Sequence, residues 1–173
     1  LATLGGGQYA AIDQESTIAI ATPFDAEISR LGGTINGTYL AYGHDGVVFA
    51  ARQEAQDENA KKVSKETLAG RMQLKGSSLY RNGSWDLVDR CNDKDFDWSK
   101  VPDKDLPKEL KGKSLAERDA FIKTLRAKRT AIQKELLELG KKRTSFIAAE
   151  LTKRAGENAR SLDFVLAKAV KEA

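Results

Sequence analysis

Residues 114–155 run for roughly forty positions without a proline and with a single glycine, Gly140. Leu115, Ile122, Leu125, Ile132, Leu136, Leu139 and Phe146 follow one another at spacings of seven, three, seven, four, three and seven, which keeps them on one stripe of a slightly underwound helix. Such a stripe needs a partner, so the segment points to scaffolding before catalysis. Ser114 and Glu117 form a capping-box pair at its start: the hydroxyl accepts from the third helical amide, and the carboxylate reaches back to the serine amide. Arg129 and Arg143 stand at two seam positions where a strict zipper would carry Leu or Ile. A buried guanidinium costs several kcal/mol unless it is paired, so the pattern predicts a local helical hairpin rather than a long autonomous coiled coil.

Composition sets how thick a core the chain can build. Of 173 residues, 40% are apolar and 31% charged, which favours an elongated, solvated shape. The net charge of +4 comes from 29 basic and 25 acidic residues that are mixed along the chain, too weak and too dispersed a bias to select nucleic acid as partner. One cysteine, Cys91, excludes an internal disulfide and any multi-cysteine zinc site. No run of about 18 apolar residues could span a bilayer. The opening Leu1-Ala-Thr-Leu4 is too short and uncharged for a signal peptide, so a periplasmic or secreted location is expected only if a signal sequence precedes this chain.

The chain changes character at about Gly43. Residues 8–12 and 17–21 read as two short strands, since β-branched and aromatic residues recur between polar stops. Thr22-Pro-Phe-Asp25 reads as a helix start, with Thr as N-cap and Pro at the first helical position; Ile28, Leu31 and Ile35 would be its buried stripe. Gly32 and Gly33 each cost a helix about 1 kcal/mol relative to Ala, so it is expected to end there and restart. Residues 38–42 fit a strand or a last helical turn. Beyond Gly43 the reading is helical: a long helix over 46–79 with a narrow apolar face begun by Val48, Ala51 and Ala55, a short helix from Ser84, a proline-containing loop over 93–113 pinned by Phe96 and Trp98, the long helix over 114–155, and a final amphipathic helix over 161–171. The fold class expected is therefore mainly α with a small α/β N-terminal part, divided into 1–43 and 44–173.

Two groups of residues carry a resemblance. Gly6-Gly-Gln-Tyr-Ala-Ala-Ile-Asp-Gln14, Ile18-Ala-Ile-Ala-Thr-Pro-Phe-Asp-Ala-Glu-Ile28 and Asn36-Gly-Thr-Tyr-Leu-Ala-Tyr-Gly43 resemble the end of a von Willebrand factor type A (VWA) domain in a group of bacterial proteins. Tyr80-Arg-Asn-Gly-Ser-Trp-Asp-Leu-Val-Asp89, Leu106-Pro-Lys-Glu-Leu110 and the basic helix ending Phe146-Ile-Ala-Ala-Glu150 are similar to the helical extension that follows that domain. The resemblance implies that 1–43 is the terminal strand-and-helix remnant of a doubly wound domain and 44–173 its helical hairpin extension. It also implies a divalent-cation site in the whole domain, built on a D-x-S-x-S loop. That loop is absent from this sequence, so no metal ligand and no cofactor carry over.

Other chemistry has little to stand on. His44, the only histidine, lies in Tyr42-Gly-His-Asp-Gly46 and reads as an exposed turn with Asp45 beside it; Cys91 reads as a small, partly buried apolar residue. Asp93, Asp95 and Asp97 alternate but lack the glycine hinge and terminal glutamate of a calcium loop. The basic residues Arg126, Lys128 and Arg129, with Lys141, Lys142 and Arg143, form the candidate interaction surface. Glu117, Asp119, Glu135 and Glu138 interleave with them and favour pairs three or four residues apart, a solvated helix face. The functional expectation is a non-enzymatic protein-interaction or scaffold module with no catalytic or metal residues, binding an unidentified protein or itself. The alternative is a weak nucleic-acid-binding helical protein that uses the basic helix faces.

Overall fold

The computed structural model describes residues 19–154. The strand expected over 8–12, most of the one over 17–21 and the helix over 161–171 lie outside them. The described residues are mainly α-helical, and among them the only β pairing is an isolated antiparallel bridge between Ala41 and Asp86. Ala19, Ile20 and Ala21 are not in a strand, so the terminal strands expected from the resemblance find no support here. No helix of the described residues is long and apolar enough to cross a membrane.

Among the described residues five α-helices follow in order: α1 Asp25–Asn36, α2 Gly46–Val63, α3 Lys65–Lys75, α4 Leu87–Arg90 and α5 Leu115–Lys153, with three short 3-10 turns between α4 and α5. Helix α5 is the spine, 39 residues and about 58 Å long at 1.5 Å per residue. Its capping box is formed: the Ser114 hydroxyl accepts from the Glu117 amide, and the Glu117 carboxylate accepts from the Ser114 amide at 2.8 Å. At α1 the carboxylate of Asp25 accepts from both the Thr22 amide and hydroxyl at 2.8 Å, so Thr22 and Asp25 make the turn that launches the helix although its regular hydrogen bonding starts at Asp25.

The run expected to be one helix over 46–79 is two helices. Ser64 is fully extended, and its hydroxyl accepts from the Thr67 amide, capping α3 and ending α2 one residue earlier. The chain folds back there, so α2 and α3 form an antiparallel hairpin. Val48, Ala51 and Ala55, expected to begin an apolar face on α2, are exposed; its buried positions are Gly46, Gln53 and Asp57. A polar face is what α2 turns inward, and the reason lies in α3 and is described below.

Helix α1 runs unbroken through Gly32 and Gly33, against the expected stop. Gly32 is buried where α3 crosses: a Cβ there would overlap the Met72 sulfur, so only glycine lets the two helices approach. Ile28, Leu31 and Ile35 of α1, Ala69 and Met72 of α3, and Ile132 and Leu136 of α5 form one apolar cluster. Gly140 opens α5 to α3 in the same way, with Gln73 atoms 2.9 Å from where its Cβ would be. Gly43 is therefore a change in composition and not a break in packing. A second cluster gathers Leu40, Leu87, Val88, Leu106, Leu110 and Ile122, with Phe96, Trp98 and Val101 of the proline-containing segment packed on it. Phe96 and Trp98 meet edge to face at 5.0 Å, and the Trp98 indole N–H donates to Asp119 at 2.7 Å, fastening that segment to α5.

Candidate functional site

The polar groups that α5 buries lie between the two apolar clusters and at its far end. Arg129 is 4% exposed. Its Nη1 donates to Asp86 at 2.6 Å and to Asp89 at 2.7 Å, while Nη2 and Nε donate to the Thr38 carbonyl at 2.6 Å and the Thr38 hydroxyl at 3.0 Å. The guanidinium also lies over the Tyr39 ring, 4.5 Å from its centroid. Asp86 is wholly buried, and its carboxylate caps α4 through the Val88 and Asp89 amides while accepting from the Leu40 amide at 2.7 Å. Burial pushes the Asp86 carboxyl up, against the pull of Arg129 and the Leu40 amide. Without the guanidinium, only neutral amide donors would offset that desolvation.

Arg143 makes the corresponding contact at the other end of the α1 interface. Its Nε donates to Asp25 at 2.8 Å and its Nη2 to the Glu66 carbonyl at 3.1 Å, tying α5 to the start of α1 and of α3. Burial alone would raise the Asp25 carboxyl, but the Thr22 amide, Arg143 and the Thr22 hydroxyl together hold it below the ordinary aspartate value. Phe24 and Phe146 pack edge to face beside this pair at 6.4 Å.

A third cluster explains the polar inner face of α2. Lys75, with no exposed surface, donates to Asp57 and, at 2.7 Å, to the Asn36 side chain. Arg71 reaches the other Asp57 oxygen at 2.5 Å, and Asn36 donates to Asp57 at 2.8 Å. Burial acts to raise the Asp57 carboxyl, yet Lys75, Asn36 and Arg71 outweigh it and hold the carboxyl low. One carboxylate on α2 thus satisfies two cations of α3 and one amide of α1. Tyr80 closes the hairpin by donating to Gln53 at 3.1 Å.

The structure divides the six residues of the candidate interaction surface. Arg129 and Arg143 face inward and are spent on Asp86, Asp89 and Asp25, so they are not part of an exposed basic stripe. Their partners lie on other elements, not three or four residues away on α5. Arg126 is half-buried and donates to the Cys91 carbonyl at 3.0 Å. Lys128, Lys141 and Lys142 are exposed, with Lys141 paired to Glu138 at 2.9 Å. Lys128 lies about 21 Å from Lys142 along the helix axis, so the exposed candidates do not gather at one place on α5.

His44 is exposed, with Asp45 at 3.8 Å. Cys91 is half-buried, and desolvation pushes its thiol up to about 12, the opposite of what a nucleophile needs. Asp93 and Asp95 do not converge on a cation site. Arg90 bonds both, Arg81 takes the other side of Asp93, and Asp97 turns to the Ser99 amide. Among the described residues no group of three or more His, Cys, Asp or Glu side chains could hold a metal ion.

Sequence reasoning missed Asp25, Asp57, Lys75, Asp86 and Asp89 as members of buried networks. One signal was available for Asp86 and Asp89: two carboxylates flank the apolar pair Leu87-Val88, and two seam arginines were in need of partners. Lys75 gave a weaker one, since it closely follows the stripe of Leu68, Ala69 and Met72. No family model, curated protein or solved structure matches this chain.

Proposed function

We propose that the chain is a non-enzymatic scaffold module, the helical brace that follows a VWA-like domain, with α5 as a stiff strut. The observation that carries this reading is the pairing of both seam arginines with carboxylates on other elements. Arg129 fastens the middle of α5 to α4 and to the segment after α1, and Arg143 fastens it to the start of α1. Side chains used in this way fix one element against another and are not available to act on a substrate. The sequence likeness at residues 6–43, 80–89, 106–110 and 146–150 supports the link to the VWA group.

A brace must keep a fixed spacing. Spin labels at Glu58 on α2 and Lys142 on α5, both exposed, are expected to give a single narrow distance distribution. A broad or bimodal distribution would contradict the reading. Anisotropy titrations with generic duplex and single-stranded DNA at about 50 and 200 mM salt are expected to show no affinity that falls steeply with salt; such a fall would favour the nucleic-acid alternative instead.

A further inference from the structure

Two Asn-Gly pairs stand in this chain, Asn36-Gly37 and Asn82-Gly83, and the fold holds them differently. At such a pair the glycine has no Cβ to hinder it, so its backbone nitrogen can reach the side-chain carbonyl carbon of the asparagine before it. Whether the two atoms meet depends on how firmly each is held. The side-chain nitrogen of Asn36 donates to Asp57 at 2.8 Å, its side-chain oxygen accepts from Lys75 at 2.7 Å, and the Gly37 amide donates to the Thr34 carbonyl at 3.2 Å. That pair is held at every point. Asn82 is half-buried, and its side-chain nitrogen is shielded from solvent without a hydrogen-bond partner among the described residues. The Gly83 amide likewise finds no acceptor among them. A buried donor left unpaired is destabilising, so the Asn82 amide lacks the support that Asp57 and Lys75 give to that of Asn36. The backbone of the turn is fastened all the same. The Asn82 amide donates to Asp89 at 2.7 Å, its carbonyl accepts from the Trp85 and Asp86 amides at 3.0 and 2.7 Å, and the Gly83 carbonyl accepts from the Tyr42 hydroxyl at 2.8 Å. The turn therefore ties the segment after α1 to α4, whose Asp86 and Asp89 receive Arg129.

We propose that Asn82 is a site of spontaneous deamidation in the folded chain and that Asn36 is not. The Gly83 nitrogen bonds to the side-chain carbonyl carbon of Asn82 and gives its proton to water. The bond from that carbon to the side-chain nitrogen breaks, and the nitrogen takes a proton and leaves as ammonia. A second water opens the resulting five-membered succinimide at one of its two carbonyls, which leaves either an aspartate or an isoaspartyl linkage at position 82. No atom changes oxidation state, and water is the only co-reactant. Either product puts a new carboxylate near Asp89 and Asp93, and the isoaspartyl linkage also adds a methylene to the main chain inside the turn. Like charges and a lengthened turn both work against the contacts that place Asp86 and Asp89 on Arg129. Deamidation at this position is thus a slow, built-in loosening of α4 from the spine.

Timed peptide mass mapping of the full chain, kept folded at mildly alkaline pH and physiological temperature, tests this directly. The peptide containing Asn82 is expected to gain the one dalton by which an acid exceeds its amide, at a rate at least tenfold above that of the peptide containing Asn36. In urea, where neither pair is held, the two peptides are expected to gain it at similar rates. Gly83→Ala supplies a second variant: its Cβ would meet nothing closer than 3.6 Å, so the chain is expected to fold unchanged, while ring closure at Asn82 slows at least tenfold and Asn36 is unaffected. The deamidated fraction, separated by ion exchange, is expected to unfold at a lower urea concentration than the intact one. Equal gain at the two sites in the folded chain overturns the proposal, as does no gain at Asn82 over a time in which the chain in urea is fully converted. A gain at Asn82 that Gly83→Ala leaves unchanged also overturns it. Unaltered unfolding of the deamidated fraction would overturn the link to α4.

Discussion

Arg129 is the residue on which most of the buried polar structure depends. Its donors meet two carboxylates, a carbonyl and a hydroxyl, and its removal would strand Asp89 together with Asp86, whose charge burial already disfavours. Arg129→Met is expected to cost about 3–5 kcal/mol in urea unfolding at pH 7. Arg129→Lys should recover only part of that, because an ammonium cannot reach both acids and the Thr38 carbonyl from one plane. A loss under about 1 kcal/mol for the methionine variant would mean that the network is decorative. Asp25 shares the acid-side pH dependence with Asp57, whose carboxyl is also held low. The folded value of Asp25 lies below the ordinary 3.8, so its stabilising contribution is complete above about pH 4 and is lost as pH falls through the lowered value. The stability difference between the natural chain and Asp25→Asn should therefore be constant from about pH 7 to about pH 5 and shrink between about pH 4 and about pH 2. A difference that grows on acidification would reverse the assignment.

At the scale of elements, two adjacent glycines of α1 separate packing from propensity. Gly33 faces open space, with nothing within 4 Å of where a Cβ would stand, whereas Gly32 meets Met72. Gly33→Ala is expected to stabilise by about 0.5–1 kcal/mol, the ordinary gain of alanine over glycine in a helix. Gly32→Ala is expected to destabilise by about 1–3 kcal/mol, since Met72 must leave its rotamer or α3 must shift. Effects of the same sign in chemical unfolding would show that α1 and α3 are not in this close register. These residues also mark how far the sequence is legible. The spine α5 and its capping box are readable because period and cap chemistry are local; of the stripe, Ile122, Ile132 and Leu136 are buried, Leu125, Leu139 and Phe146 are half-buried, and Leu115 is exposed. The stop expected at Gly32 is an error of the same local logic, since propensity takes no account of a helix that packs about 40 residues later in the chain. The single helix over 46–79 fails for a related reason. Only the Ser64 cap distinguishes one long helix from a hairpin, and the inward face of α2 is polar because Lys75 and Arg71 of α3 need Asp57.

For the whole molecule, the consequence is that the described residues should unfold as one unit. The apolar clusters at α1–α3–α5 and at α4 with the proline-containing segment are separate in composition, but Arg129 lies between them on α5 and bonds to residues on both sides. Long-range ion pairs of this kind are hard to match in sequence, because the partners Asp86 and Asp89 are 43 and 40 residues away and only their place beside Leu87-Val88 marks them. The candidate basic surface divides for this reason: Arg129 and Arg143, grouped with it in the sequence although they stand on the seam, are interior fasteners in the fold. Native-state hydrogen exchange tests the central claim most directly. Amides of Ile28, Leu31 and Ile35 in α1 and those of Ile122, Ile132 and Leu136 in α5 are expected to exchange with the same opening free energy, and Arg129→Met is expected to lower both sets together. Protection in α1 that is markedly weaker than in α5, or that stays unchanged when Arg129 is replaced, would contradict the account.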